Sequence, residues 1–203
     1  MPLILNRSEG SDRFLMWEAT EDVARLECMA QLDYAEKEQF TTLKTDSRKR
    51  QWLPARIMAH DIFGQHISYR DSGQPYLENS PLHISISHTG DYIALVASEA
   101  PCGVDLEEIS RPAQKIQHKF AAEQELQMAG EVFPANPALL IWSAKESLYK
   151  MVRKTGVEFK TELLLEKFTD DTIMASACAR KAVVRYGIFE EKLLITQAKY
   201  IRQ

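Results

Sequence analysis

The chain has 203 residues, enough for one large domain or two small ones. Apolar residues make up 45% and charged residues 27%, an ordinary globular balance, and the formal net charge of −4 argues against a nucleic-acid binder. No apolar run approaches the roughly 20 residues of a membrane helix, so no membrane span is expected. Residues 1–19 hold apolar and β-branched positions that fit a strand or two; the opening MPLILNRSEGSDRF lacks the charged leader, apolar core and cleavage site of a secretory signal. Thr20 to Leu32 is predicted as a helix capped by Thr20, with Val23, Leu26 and Ala30 at helical spacing. Residues 45–63 form the next helix, capped by Asp46 or Ser47, with Trp52, Ile57 and Ile62 interleaved with Arg48, Arg50 and Arg56. Pro54 falls inside it and predicts a late start or a kink.

Residues 66–77 read as strand, turn, strand around Asp71-Ser72-Gly73. Leu82 to Ser87 alternates, with Leu82, Ile84 and Ile86 on one face and His83, Ser85 and Ser87 on the other. A turn at Thr89-Gly90-Asp91 leads into the apolar strand Tyr92 to Ser98, and Cys102 to Ile109 is the next strand. Ala113 to Ala129 and Pro137 to Val152 are predicted helices, Pro137 suiting a first turn. Residues 157–202 alternate in short runs and read as β-rich. Both halves run helices first and strands after, with a boundary near Ser98 to Gly103. The three cysteines, Cys28, Cys102 and Cys178, are far apart without metal-ligand spacing; they fit a reducing cytoplasm and read as small hydrophobes.

Two stretches carry chemistry. Gly103-Val104-Asp105-Leu106-Glu107 places carboxylates at i and i+2, which a strand points to one face. Trp142-Ser143-Ala144-Lys145-Glu146-Ser147-Leu148-Tyr149-Lys150 places Glu146 and Lys150 at i and i+4, which a helix stacks on one face. If those faces meet, three carboxylates and a lysine converge. Such a cluster is costly without a cation; hard oxygen ligands suit Mg²⁺, and Mg²⁺ beside a lysine suits chemistry on a phosphate ester. Taken singly, each stretch has a plainer reading: a solvated sheet edge, or a surface Glu–Lys pair worth ~0.3–0.5 kcal/mol. Trp142 reads as packing that sets the helix against the sheet.

GVDLE followed by WSAKESLYK resembles the two defining motifs of the 4′-phosphopantetheinyl transferases. Ile84-Ser85-Ile86-Ser87-His88-Thr89 is similar to that family's Ser-His segment, Gly73-Gln74-Pro75 to its Gly-Lys-Pro type turn, and Arg48 to Arg56 to its basic N-terminal helix. Lys119-Phe120-Ala121-Ala122-Glu123 resembles its Arg-Phe-Phe-x-x-x-Glu segment in weakened form. The matches run in family order from about residue 48 to residue 150. The resemblance implies an α+β fold: a pseudo-two-fold pair of similar α/β subdomains with antiparallel sheets and packed helices, in the surfactin-type branch that carries both halves in one chain. The N-terminal half would be 1–100, with the basic helix and Ser-His segment, and the C-terminal half 101–203, with the carboxylates and the Lys-Glu-Ser helix. The site would lie between the halves.

The implied reaction moves the 4′-phosphopantetheine arm of coenzyme A to a serine of an acyl or peptidyl carrier protein, with Mg²⁺, releasing adenosine 3′,5′-bisphosphate. Asp105, Glu107 and Glu146 would hold the metal, Glu146 serving as third ligand or general base. Lys150 would neutralise the α-phosphate or protonate the leaving group. His88, with Ser87, would contact the 3′-phosphate, and Arg56 the adenine or a phosphate. Arg48 and Arg50 complete the coenzyme set together with Gln74 and Pro75, although a basic helix face is commonly just solvated. Gln74 stands where the family has Lys or Arg and supplies no charge; Ala121 and Ala122 weaken a helix start without touching a catalytic group. A cytoplasmic monomer is expected. A non-catalytic coenzyme A or carrier-protein binder of the same fold is the alternative, and a Mg²⁺-dependent phosphohydrolase a more distant one.

Overall fold

In the computed structural model, residues 3–201 are described, so the ends of the two outermost predicted stretches, residues 1, 2 and 202, lie outside the described residues. The chain divides into two units, Met1–Glu99 and Ala100–Gln203. In the first, the strand or two expected near the start form a hairpin, β1 (Leu3–Glu9) and β2 (Asp12–Glu18), turned at Gly10 with φ of +61°. Helix α1 (Val23–Met29) starts later than predicted, because Asp22 rather than Thr20 caps it by accepting the Arg25 N–H at 2.8 Å. Helix α2 (Tyr34–Thr42) was not predicted. It opens with a capping box: Asp33 accepts from the Glu36 N–H at 2.8 Å, and Glu36 accepts from the Asp33 N–H at 3.4 Å. Helix α3 (Asp46–Phe63) is capped by Thr45 rather than by Asp46 or Ser47, and ends at Gly64 in the left-handed conformation. It runs through Pro54 without the late start that proline predicted.

Strands β3 (Ile67–Tyr69), β4 (Pro75–Leu77), β5 (His83–Thr89) and β6 (Tyr92–Ser98) follow as a meander, giving an antiparallel sheet in the order β1-β2-β6-β5-β4-β3. Its core joins Leu15 and Trp17 of β2 and Ile93 and Leu95 of β6 with Leu53 and Ile57 of α3. A fully buried Leu or Ile contributes about 1.5–3 kcal/mol over its exposed state.

The second unit repeats the plan. β7 (Cys102–Glu108) is followed by a 3₁₀ helix (Ala113–Lys119), α4 (Glu123–Val132), α5 (Pro137–Val152) and the short α6 (Phe159–Glu162). The single helix predicted over Ala113 to Ala129 is therefore broken, at the point where Phe120 and Ala121 turn inward and are buried. β8 (Leu163–Phe168), β9 (Thr172–Ala177), β10 (Arg180–Phe189) and β11 (Leu193–Tyr200) complete an antiparallel sheet in the order β7-β11-β10-β9-β8. That order matches β2-β6-β5-β4-β3 strand for strand: one strand, then helices, then a four-strand meander whose last member returns to pair with the first. Both units are α+β with antiparallel sheets, and no helix among the described residues is long and apolar enough to cross a membrane.

Helix α5 lies on the β7 end of its sheet, and one glycine sets how closely. A Cβ on Gly103 would meet the Ser147 carbonyl oxygen at 1.8 Å, the Ser147 carbonyl carbon at 2.8 Å and the Met151 nitrogen at 2.9 Å. All three are backbone atoms of a helix and cannot rotate away. Gly103→Ala must push α5 off β7, and overpacking of this kind costs about 1–3 kcal/mol or more. Urea unfolding of the variant should show a lower midpoint with an unchanged slope. A midpoint equal to that of the parent chain would mean that α5 does not seat on β7 as described.

Candidate functional site

Because Gly103 faces α5, the two-residue period of the strand turns Asp105 and Glu107 to the same side. Each is only 4% exposed. On α5, Trp142, Glu146 and Lys150 recur every four residues and form a stripe. The Lys150 ammonium donates to Asp105 Oδ1 at 2.8 Å and to the Val104 carbonyl at 3.0 Å. The Trp142 indole Nε1–H donates to Glu107 Oε1 at 2.7 Å, and the Arg111 guanidinium pairs with the same Glu107 oxygen. Thr196, opposite Asp105 in the β11–β7 register, donates to the Ser143 carbonyl at 2.8 Å and shares a 3.0 Å hydrogen bond with the Ser143 hydroxyl. Helix and sheet are thus tied on both sides of Asp105.

The electrostatics show what this grouping costs. Burial pushes the Glu146 carboxyl above the usual carboxylate range; the neighbouring Asp105 and Glu107 push the same way, and Lys150 and Arg111 oppose them. Burial raises Glu107 as well, with the Arg111 hydrogen bond as the largest opposing effect. Glu107 in turn raises Arg111, with Asp105 and Glu146 adding to it. Three carboxylates against two cations leave one excess negative charge in a half-buried seam. Asp105, Glu107 and Glu146 lie within electrostatic reach of one another, and carboxylate oxygens are the donors that suit a hard divalent cation such as Mg²⁺. The sequence pattern missed Arg111, which lies in the loop beyond β7. It also missed the hydrogen bond of Trp142; a half-buried indole N–H ordinarily seeks a partner, and that was the available signal.

In the first unit, Arg48 lies 3.3 Å from His88, Nη1 to Nε2, and both are exposed. Gln51 joins them, accepting from Arg48 at 3.5 Å and donating to the Gly90 carbonyl at 3.1 Å. Ser87 is buried on β5. Arg50 pairs with Asp91 at 2.9 Å and with the Ala19 carbonyl, so it ties α3 to the β5–β6 turn. Gln74 follows Gly73, whose φ is +80°, in the β3–β4 turn, and Pro75 begins β4. Arg56 is buried, 3% exposed, with its guanidinium 3.6 Å over the Trp52 ring and donating to the Tyr69 hydroxyl at 2.8 Å. Asp33, Glu36 and His66 also gather, their ligand atoms within 4.8 Å of one another. The oxygens there already have structural work: Asp33 and Glu36 form the capping box, and Glu36 accepts from the Ile67 N–H at 3.1 Å and meets His66 Nδ1 at 3.0 Å.

Fold and site together define an α+β protein whose second unit bears a carboxylate and lysine seam fit for a hard cation. Residues 101–192, the stretch that builds this seam, match the model of the 4′-phosphopantetheinyl transferase superfamily. Three curated proteins are similar to part of the chain. The chain is 27% identical over 104 residues to the 4′-phosphopantetheinyl transferase psf-1 of Bacillus pumilus, covering 49% of this chain and 44% of that one. It is 29% identical over 103 residues to the transferase gsp of Aneurinibacillus migulanus, covering 48% and 43%. To a 4′-phosphopantetheinyl transferase of Bacillus subtilis it is 26% identical over 121 residues, covering 58% and 54%. The chain thus spans about half the length of the curated relatives it matches.

The raised carboxyls of Glu107 and Glu146 make stability depend on pH. Both bind a proton more tightly in the folded chain than at their ordinary value of 4.5. The stability they contribute is therefore full below pH 4.5 and is lost as pH rises through their raised values. Glu146→Gln, measured with a chelator present, should melt higher than the parent at neutral pH, by about 2–4 °C for each kcal/mol relieved. The gain should vanish as pH falls towards 4.5. A gain independent of pH would contradict the like-charge account.

Proposed function

We propose that this chain transfers the 4′-phosphopantetheine arm of coenzyme A to a serine of an acyl or peptidyl carrier protein, in a Mg²⁺-dependent reaction that releases adenosine 3′,5′-bisphosphate. One observation carries the reading: α5 brings Glu146 and Lys150 to Asp105 and Glu107 of β7, inside the stretch that matches the transferase superfamily. The serine oxygen forms a bond to the β-phosphorus of coenzyme A, and the bond from that phosphorus to the oxygen bridging to the α-phosphate breaks. Asp105, Glu107 and Glu146 would hold Mg²⁺, which when bound supplies positive charge to the pyrophosphate oxygens. Glu146, with its raised carboxyl, suits acceptance of the serine proton, since a base works best with its pKa close to the working pH. Lys150, already an ammonium donor beside Asp105, offers charge and a proton to the departing bisphosphate.

On the coenzyme, Arg48, Ser87 and His88 would bind the 3′-phosphate, with Gln74 and Pro75 shaping the turn beside them. Gln74 offers a neutral donor, which makes 3′-phosphate recognition depend on the Arg48–His88 pair. Arg50 and Arg56 are engaged by Asp91 and by Trp52 and Tyr69, so their part in coenzyme binding would be to brace α3. The surfactin-type branch, a cytoplasmic location and a monomeric state belong to this same reading.

Incubating a panel of carrier proteins with the chain, coenzyme A and Mg²⁺ should add the mass of one phosphopantetheine arm to at least one carrier. Asp105→Ala should abolish the addition and leave the fold intact. A fully active Asp105→Ala variant at ordinary Mg²⁺ would sink the site assignment; coenzyme A binding without transfer to any carrier would favour a binding protein instead.

Gln74 gives a second check. Charge-assisted hydrogen bonds contribute roughly 1.5–3 kcal/mol. Gln74→Lys should therefore tighten coenzyme A about tenfold or more over its 3′-dephospho form in calorimetric titration. Equal tightening of both ligands would show that residue 74 does not face the 3′-phosphate.

A further inference from the structure

The lysine that precedes Glu146 in the motif points away from the chemistry. Lys145 has a fully buried side chain, and its ammonium donates to the Phe120 carbonyl at 2.8 Å, to Glu125 Oε2 at 2.9 Å and to the Phe159 carbonyl at 3.0 Å. Three donors meet three acceptors, so the ammonium has no capacity left for a ligand. Glu125 is equally committed: Oε2 also accepts from the Ala122 N–H at 2.9 Å, and Oε1 accepts from the Leu165 N–H at 3.0 Å. One ion pair therefore fastens α5 to the turn at Phe120, to α4, to α6 and to β8. Successive helical residues point about 100° apart, so turning Lys145 inward turns Glu146 to another face.

The first unit carries the same device. Glu36 is the third residue of α2, as Glu125 is of α4, and each accepts from the backbone N–H of its helix's N-cap residue, Asp33 at 3.4 Å and Ala122 at 2.9 Å; only Asp33 has a side chain that completes a capping box. Glu36 accepts from the Ile67 N–H of β3, and Glu125 from the Leu165 N–H of β8, strands at the same place in the two sheet orders. The buried cation comes from the long helix in both: Arg56 Nε lies 3.9 Å from Glu36, and Lys145 2.9 Å from Glu125. The spacing is the same, 20 residues from Glu36 to Arg56 and from Glu125 to Lys145. In the first unit no Glu and Lys follow; the corresponding residues are Ile57 and Asp61. The buried acid–base pair thus recurs in the first unit without the Glu and Lys of the motif, there as an ion pair 3.9 Å apart with the guanidinium hydrogen-bonded to Tyr69 and to the Trp52 carbonyl instead.

We infer that Lys145 is a positioning residue: paired with Glu125, it locks α5 at the rotation and height that present Glu146 and Lys150 to β7, and it does not touch coenzyme A. Its link to catalysis rests on the transferase reading above; the lock itself does not.

The test uses the full chain and two variants. The neutral pair Lys145→Met/Glu125→Gln removes both charges together, avoiding an unpaired buried carboxylate. Lys145→Arg keeps the cation, as Arg56 does for Glu36. Without any substrate, amide exchange over 139–152 should be roughly tenfold faster in the neutral pair and slow again in Lys145→Arg. In the transfer assay the neutral pair should leave KM for coenzyme A within about twofold and lower kcat on the order of 100-fold, the effect of a group displaced by ~1 Å. Unchanged exchange in the neutral pair, or a KM raised tenfold with kcat kept, would overturn the inference. A parent chain that modifies no carrier would defeat the proposed function and leave the exchange result to decide the lock by itself.

Discussion

The second unit depends on one close approach, the backbone of α5 resting against β7 at Gly103. With a hydrogen in place of a Cβ, the strand lets the Ser147 carbonyl come nearer than any side chain would permit. The polar contacts along the seam follow from that distance: Lys150 reaches Asp105, Trp142 reaches Glu107, and Ser143 meets Thr196. A helix held farther out would leave these carboxylates buried with fewer partners, and a buried unpaired charge costs several kcal/mol. The glycine that opens the acidic motif is therefore as much a part of the site as its two acids.

The same plan, folded twice, carries the carboxylate and lysine seam once. In the first unit, the β2 residues Leu15 and Trp17, with Ala19 just beyond the strand, share the core with α3, and the seam is apolar. In the second, Asp105, Glu107 and Glu146 put excess negative charge in the equivalent layer, offset in part by Lys150 and Arg111. An apolar seam contributes stability directly, whereas the charged one raises its own carboxyls and gives up stability as pH rises. Substituting a seam acid is thus expected to separate stability from function, as is common where a site is held under strain by its scaffold.

Much of this was legible in the residues. Alternation marked β5, an unbroken apolar run marked β6, β7 was placed within a residue or two, and α5 was read from Pro137 to Val152 with Pro137 in its first turn. The strand period and the helix repeat placed Asp105, Glu107, Glu146 and Lys150 on two faces, and the structure joins those faces. Three things escaped. Helix α2 has little apolar periodicity, and its signal was the Asp33–Glu36 capping box, which is local and easily passed over. The break at Phe120 depends on burial that only tertiary packing creates. Lys145 was missed because lysine is seldom buried, and nothing in the spacing of the motif reveals a partner 20 residues upstream.

The central claim is that the β7–α5 seam is a hard-cation site made by backbone proximity. Crystals grown with Mn²⁺ in place of Mg²⁺ would test it most directly, because anomalous scattering locates the ion without assumption. The account predicts a single strong peak bonded to carboxylate oxygens of Asp105, Glu107 and Glu146, with Arg111 drawn off Glu107. A peak at Asp33, Glu36 and His66 with the seam empty, or no protein-bound ion at saturating Mn²⁺, would contradict it.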